Sequence, residues 1–156
     1  LDYKGKRHFL PTEMPEEPHC FGVIRRRSQA FVVEACEKLH LTYSEYALLL
    51  KLYDAEGCSQ DDMAGMLYLD KAVVTRVIKT LEGKGFIYRE QDDKDRRMKR
   101  LYVTEFGKTQ EEFIKNIIKR LVDYMASQMP VDEVQSLMTG FQDLADKMSR
   151  ADLHRI

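Results

Sequence analysis

The chain has 156 residues, 44% of them hydrophobic and 33% charged, with a formal net charge of −1. That length suits one domain with a real core rather than two, and the longest apolar runs, such as Ala47-Leu48-Leu49-Leu50, fall far short of a membrane span. No basic stretch followed by an apolar one opens the chain, so no secretory signal is expected, and a start at Leu1 rather than Met is what a trimmed or partial sequence shows.

Residues 1–17 hold Pro11 and Pro15 and few periodic apolar positions, which predicts an extended arm, with Pro18 near the start of the first helix. From His19 to His40, Phe21, Ile24, Phe31, Ala35 and Leu39 recur at helical spacing, with Arg25-Arg26-Arg27 in the middle of the predicted helix. Thr42-x-x-Glu45 is a capping box, and Tyr46, Leu49, Leu50 and Tyr53 form the stripe of a second helix that Gly57 ends. Ser59-x-x-Asp62 repeats the capping logic for a short helix with Met63, Ala64 and Leu67 inward. Asp70 reads as the N-cap of a fourth helix running to about Lys84, stopped by Gly83 and Gly85. A short helix, a tight turn and a longer helix are the pattern of a helix-turn-helix.

Two β-like runs follow, Gly85-Phe86-Ile87-Tyr88-Arg89 and Lys99-Arg100-Leu101-Tyr102-Val103, joined by the charged hexad Asp92-Asp93-Lys94-Asp95-Arg96-Arg97. A polar tip on a two-stranded ribbon directly behind a helix-turn-helix is the order of a winged helix. Thr104 caps a further helix to about Ser127, carrying Phe113, Ile114, Ile117, Ile118, Leu121, Val122 and Met125. This is more apolar surface than one face of a lone helix hides. After Pro130, Val134, Leu137, Phe141, Leu144 and Met148 repeat at a coiled-coil-like spacing that a second subunit would bury. The fold class expected is mainly α with a small β-ribbon.

Charge is unevenly distributed. Residues 71–100 hold ten basic and five acidic side chains, a net of +5, which leaves −6 for the rest. A phosphate responds to this local field, because charges beyond a Debye length of about 8 Å are screened. On the fourth helix Val74, Val77, Ile78 and Leu81 form the inward stripe, leaving Lys71, Ala72, Thr75, Arg76 and Lys79 outward. That set is small and polar near the N-terminus, as a helix entering the major groove needs.

Cys20, Cys36 and Cys58 are odd in number and form no CxxC pair, which favours a reducing, cytoplasmic setting. The four histidines, His8, His19, His40 and His154, show no paired-ligand spacing, so no metal is expected. No glycine-rich phosphate loop, nucleophile elbow or telling carboxylate pair is present, so neither an enzyme nor a cofactor is expected.

With Asp95-Arg96-Arg97, Leu101-x-Val103-Thr104-x-x-Gly107, and Leu69-Asp70-Lys71-Ala72-Val73-Val74-Thr75-Arg76 followed by Leu81-Glu82-x-x-Gly85-Phe86-Ile87, the chain resembles the MarR family of bacterial transcription regulators. The likeness is best over residues 41–107, and Phe106 stands where the family more often has a charged residue. The resemblance implies a single MarR-like domain over 18–156. Within it, residues 41–104 form a winged helix-turn-helix DNA-binding lobe, and 18–40 and 105–156 form dimerisation helices. It further implies a homodimer on double-stranded DNA with a pseudo-palindromic operator, repression, and a cleft for a small anionic or aromatic effector.

By matching motif positions, the resemblance places Arg97 in the minor groove, with Arg96 beside it and Asp95 holding the wing arginines. Lys71, Thr75, Arg76 and Lys79 are candidates for the major groove and nearby phosphates; Thr75 suits a base edge or a thymine methyl. Ser59 and Gln60, at the start of the short helix, suit a phosphate through backbone N–H groups. Lys99 and Arg100 suit sequence-independent backbone contacts. Arg27 and Tyr46 are candidates for gripping an effector. Two alternatives stand beside this reading. One is thiol sensing through Cys20, which resembles the reactive position of peroxide-sensing members but lacks their supporting tyrosines. The other is a winged helix used for protein–protein contact.

Overall fold

Capping side chains start four of the helices of this chain, whose computed structural model describes residues 17–152. Helix α1 spans Glu17–Ala35 and is followed by a 3-10 turn, Glu37–Leu39; α2 is Tyr43–Asp54, α3 Gln60–Leu67 and α4 Lys71–Gly83. Strands β1, Ile87–Gln91, and β2, Lys99–Val103, precede α5, Glu105–Thr109, α6, Glu111–Ser127, and α7, Val131–Arg150. The arm expected over 1–17 lies outside the described residues apart from Glu17, as do His8 and His154.

Both capping boxes form. The Thr42 N–H donates to Glu45 Oε2 at 2.7 Å and its hydroxyl accepts from Glu45 N at 3.3 Å. The Ser59 N–H donates to Asp62 Oδ2 at 3.0 Å while its hydroxyl accepts from Asp62 N at 3.1 Å. Asp70 starts α4 by accepting from Ala72 N at 2.7 Å. Each cap satisfies donors a helix start would leave open, for about 1 kcal/mol.

Three boundaries differ from expectation. The first helix ends at Ala35 rather than His40, because the chain tightens into the 3-10 turn and His40 takes a left-handed conformation, φ 51°. The long helix after Thr104 is two helices. The Gly107 carbonyl, which would extend α5 into α6, accepts from Gln110 N at 3.0 Å and from the Tyr53 hydroxyl at 2.7 Å. The ribbon also gains a third edge. Gly57 N donates to Leu101 O at 2.8 Å and Leu101 N to Cys58 O at 2.9 Å, so Ser59 bridges to Arg100. Gly57 permits this through φ +86°, a region costly to residues with a Cβ.

β1 and β2 pair antiparallel, with Ile87 opposite Val103 and Gln91 opposite Lys99. Leu48, Leu49, Leu52, Met63, Ile78, Leu81, Leu101, Ile114 and Ile117 are fully buried in one apolar cluster with Val32 and Cys36. Each large aliphatic side chain there contributes roughly 1.5–3 kcal/mol by leaving water. This core belongs to a compact unit over residues 29–124. The described residues of 17–28 and 125–152 belong to a second unit. In it, α7 buries none of its residues, and Leu137, Phe141, Leu144 and Met148 line its exposed apolar face. No helix among the described residues is long and apolar enough to cross a membrane.

Candidate nucleic-acid interface

The tip between β1 and β2 is organised by one carboxylate. Asp92 is buried; its Oδ1 accepts from Lys94 N at 2.7 Å and Asp95 N at 2.9 Å, and its Oδ2 accepts from Arg100 Nε. These donors, the Asp95 amide first, then the Arg100 guanidinium and the Lys94 amide, hold its pKa down at about 2. Asp92 N donates to Met98 O at 3.0 Å, and Met98 N to Asp95 O at 2.9 Å. The tip backbone is thereby stapled while Lys94, Arg96, Arg97 and Lys99 stay exposed.

Two expected roles change on this geometry. Asp95 Oδ1 accepts from the backbone N–H of Arg97 at 3.0 Å, so it shapes the turn rather than gripping an arginine side chain. Arg100, expected to face a phosphate, is turned inward between Asp92 and the Gly57 carbonyl, at 2.8 Å from the latter. Asp92 itself was legible only as one acid of the hexad. The signal for its role is the Asx-turn pattern, a carboxylate followed by amides two and three residues on.

On α4, Val74, Ile78 and Leu81 are buried and Val77 half-buried, whereas Lys71, Ala72, Thr75, Arg76 and Lys79 are exposed, as the periodicity predicts. Lys71 pairs with Asp61 at 2.7 Å, with both side chains about 70% exposed, so the pair is worth under about 1 kcal/mol and exchanges readily for a phosphate. The side chains of Arg76 and Lys79 have no hydrogen-bond partner among the described residues. At the start of α3 the capping box takes the N–H groups of Ser59 and Asp62, leaving those of Gln60 and Asp61 open. Ser59, Gln60 and Asp61 share a groove of about 260 Å³ with Arg97, Met98 and Lys99 of the wing. Residues nearly forty positions apart in sequence thus line one surface.

The remaining candidates stand elsewhere. Tyr46 is buried, its hydroxyl donates to Ile114 O at 3.3 Å, and burial pushes its pKa up to about 12. A phenol so placed supports packing and presents no surface to an effector. Arg27 is exposed on α1. Cys20 is exposed, whereas Cys36 is buried and its thiol is pushed up to about 11 by desolvation. Burial also raises Cys58, which is half-buried.

The model of the MarR family matches residues 41–99, from the turn before α2 through the wing tip. The HTH-type transcriptional regulator BilQ of Clostridioides difficile is 30% identical over 114 residues, covering 72% of this chain and 77% of BilQ. The chain belongs to the MarR family. YybA of Bacillus subtilis, named an HTH-type transcriptional regulator, is 33% identical over 56% of this chain. That match spans only 58% of the length of YybA. The MarR winged helix recurs in the crystal structure of a Staphylococcus aureus MepR–DNA complex, which superposes with a TM-score of 0.78 at 23% identity. That superposition covers 86% of this chain and 99% of MepR.

Proposed function

We propose that this MarR-family chain is a sequence-specific double-stranded DNA-binding transcription regulator, a repressor released from a pseudo-palindromic operator by a small-molecule effector. The observation that carries the DNA part is the groove that joins the α3 N-terminus to Arg97 and Lys99 of the wing, beside the exposed polar face of α4. In this reading α4 enters the major groove, with Arg76 reading a guanine and Lys71 and Lys79 on its phosphates. Arg97 and Arg96 reach the flanking minor groove, where negative potential is concentrated. The open backbone N–H of Gln60 and the Lys99 ammonium meet the intervening phosphate backbone, whereas Ser59 donates both its N–H and its hydroxyl to Asp62 and so serves as a cap instead of the phosphate contact expected of it.

The lobe that reads DNA spans residues 41–104, and the helices of 18–40 and 105–156 pair two copies so that two α4 helices face successive grooves. Repression and effector release rest on the family, with Arg27 as the exposed candidate for an anionic effector. The chain acts as a regulator in the cytoplasm rather than as an enzyme.

Fluorescence anisotropy on a mixed-sequence duplex across a salt series tests the DNA part. Affinity is expected to fall by roughly 10³-fold or more between 50 and 200 mM salt if about six phosphates are contacted. Arg97→Ala is expected to weaken binding roughly tenfold and to lower the salt slope by about 1. Absence of binding at low salt overturns the reading in favour of a winged helix used for protein–protein contact.

A further inference from the structure

Gln60 opens α3 half-buried, and its neighbours decide which way its amide faces. Arg89 on β1 forks onto Glu82 at 2.8 and 2.6 Å and turns its remaining terminal nitrogen to Gln60 Oε1 at 3.1 Å. A guanidinium only donates, so the Gln60 carbonyl has to face it and the amide NH2 has to face away. One N–H of that group reaches Thr75 Oγ1 at 3.4 Å. The single hydrogen of the Thr75 hydroxyl is donated to Lys71 O at 2.8 Å. Thr75 therefore has no hydrogen left for a base, and its exposed side chain offers a methyl group. Beside it Gln60 offers its second N–H.

We infer that Gln60 and Thr75 together read a thymine in the major groove, Gln60 donating to O4 while the Thr75 methyl packs on the C5 methyl. Thymine is the base that presents an acceptor together with a methyl group there. The bidentate contact of glutamine with adenine needs a free amide carbonyl to accept from N6, and here that oxygen is turned to Arg89. Cytosine presents a donor, and guanine has no methyl. Arg89 is thus a positioning residue, setting base preference from the wing stem without touching a base. This inference rests on the DNA-binding reading above and specifies what α3 and α4 select.

The test uses duplexes that the full chain recovers from a random-sequence pool. Each thymine of a recovered duplex is replaced in turn by uracil, which removes the C5 methyl alone. One thymine per half-site is expected at which uracil weakens binding about three- to fivefold, the effect of one buried methyl. Thr75→Ser should bind the original duplex weaker by the same factor and be indifferent to that uracil, whereas Thr75→Val keeps the sensitivity. Arg89→Met releases the Gln60 amide and should reduce the penalty for adenine at that position. The inference is overturned if no thymine is uracil-sensitive, or if Thr75→Ser stays sensitive. Failure of the parent chain to bind any duplex at low salt overturns the DNA reading and this inference together. Binding without a uracil-sensitive thymine sets aside this inference alone.

Discussion

Asp92 shows how one side chain of the hexad differs from its neighbours, since Asp93 is exposed and Asp92 is buried under two amides and a guanidinium. Those donors favour the ionised form, so its pKa is depressed from 3.8 to about 2 in the folded chain. A depressed carboxylate contributes stability fully above its unfolded pKa, and that contribution fades as pH falls toward the folded value. The amide resonances of Lys94 and Asp95 are therefore expected to titrate with a midpoint near 2 rather than near 4 in an acid NMR series. Asp92→Asn should abolish that titration and broaden the wing-tip amides at neutral pH; a midpoint near 4 in the parent chain would show that the staple is absent. The cysteines separate in the same manner. At pH 8 iodoacetamide should label Cys20 in the folded chain and Cys36 only on unfolding, because Cys36 is buried and protonated. Mass spectrometry that finds Cys36 labelled first would contradict this packing.

At the scale of elements, α5 is fixed by contact rather than by propensity. A Cβ on Gly107 would lie 2.3 Å from the Phe86 carbonyl oxygen and 2.6 Å from a Val103 methyl. Gly107→Ala is accordingly expected to cost about 1–3 kcal/mol through overpacking, read as a lower midpoint in urea. Gly83→Ala serves as the counterpart, because nothing lies within 4 Å of its Cβ and its backbone is helical. That substitution should stabilise by about 0.5–1 kcal/mol. Equal midpoints for the two variants would sink this account of α5. Most elements were legible in the sequence because their signals are local: the two capping boxes, the Asp70 cap and the α4 stripe all act within four residues. The break between α5 and α6 was not, because the Tyr53 hydroxyl responsible for it comes from 54 residues away. The third ribbon edge escaped for the same reason, as nothing between Gly57 and Ser59 reads as a strand.

For the molecule as a whole, the informative surface is the apolar face of α7. Leu137, Phe141, Leu144 and Met148 are each 41–48% exposed, which is costly for a helix of this amphipathicity unless a partner covers it. A second copy is the occupant the proposed function requires. Leu144→Asp combined with Phe141→Asp should halve the mass measured by light scattering while leaving the helical circular dichroism signal intact. A parent chain that is already a monomer at micromolar concentration would refute the homodimer.

The sequence by itself determined the helix order, the ribbon, the outward face of α4 and the resemblance to the MarR family, since periodicity, caps and motif spacing are properties of contiguous residues. Tertiary structure alone decided which charges of the wing face outward. Arg97 and Arg100 look alike in the sequence, yet one is exposed and the other is bound to Asp92 and to a carbonyl 43 residues away. Tyr46, read as an effector grip, became a buried phenol by meeting Ile114, 68 residues distant. A side chain's polarity is written locally, but whether water, core or a distant acceptor satisfies it depends on what folding brings alongside.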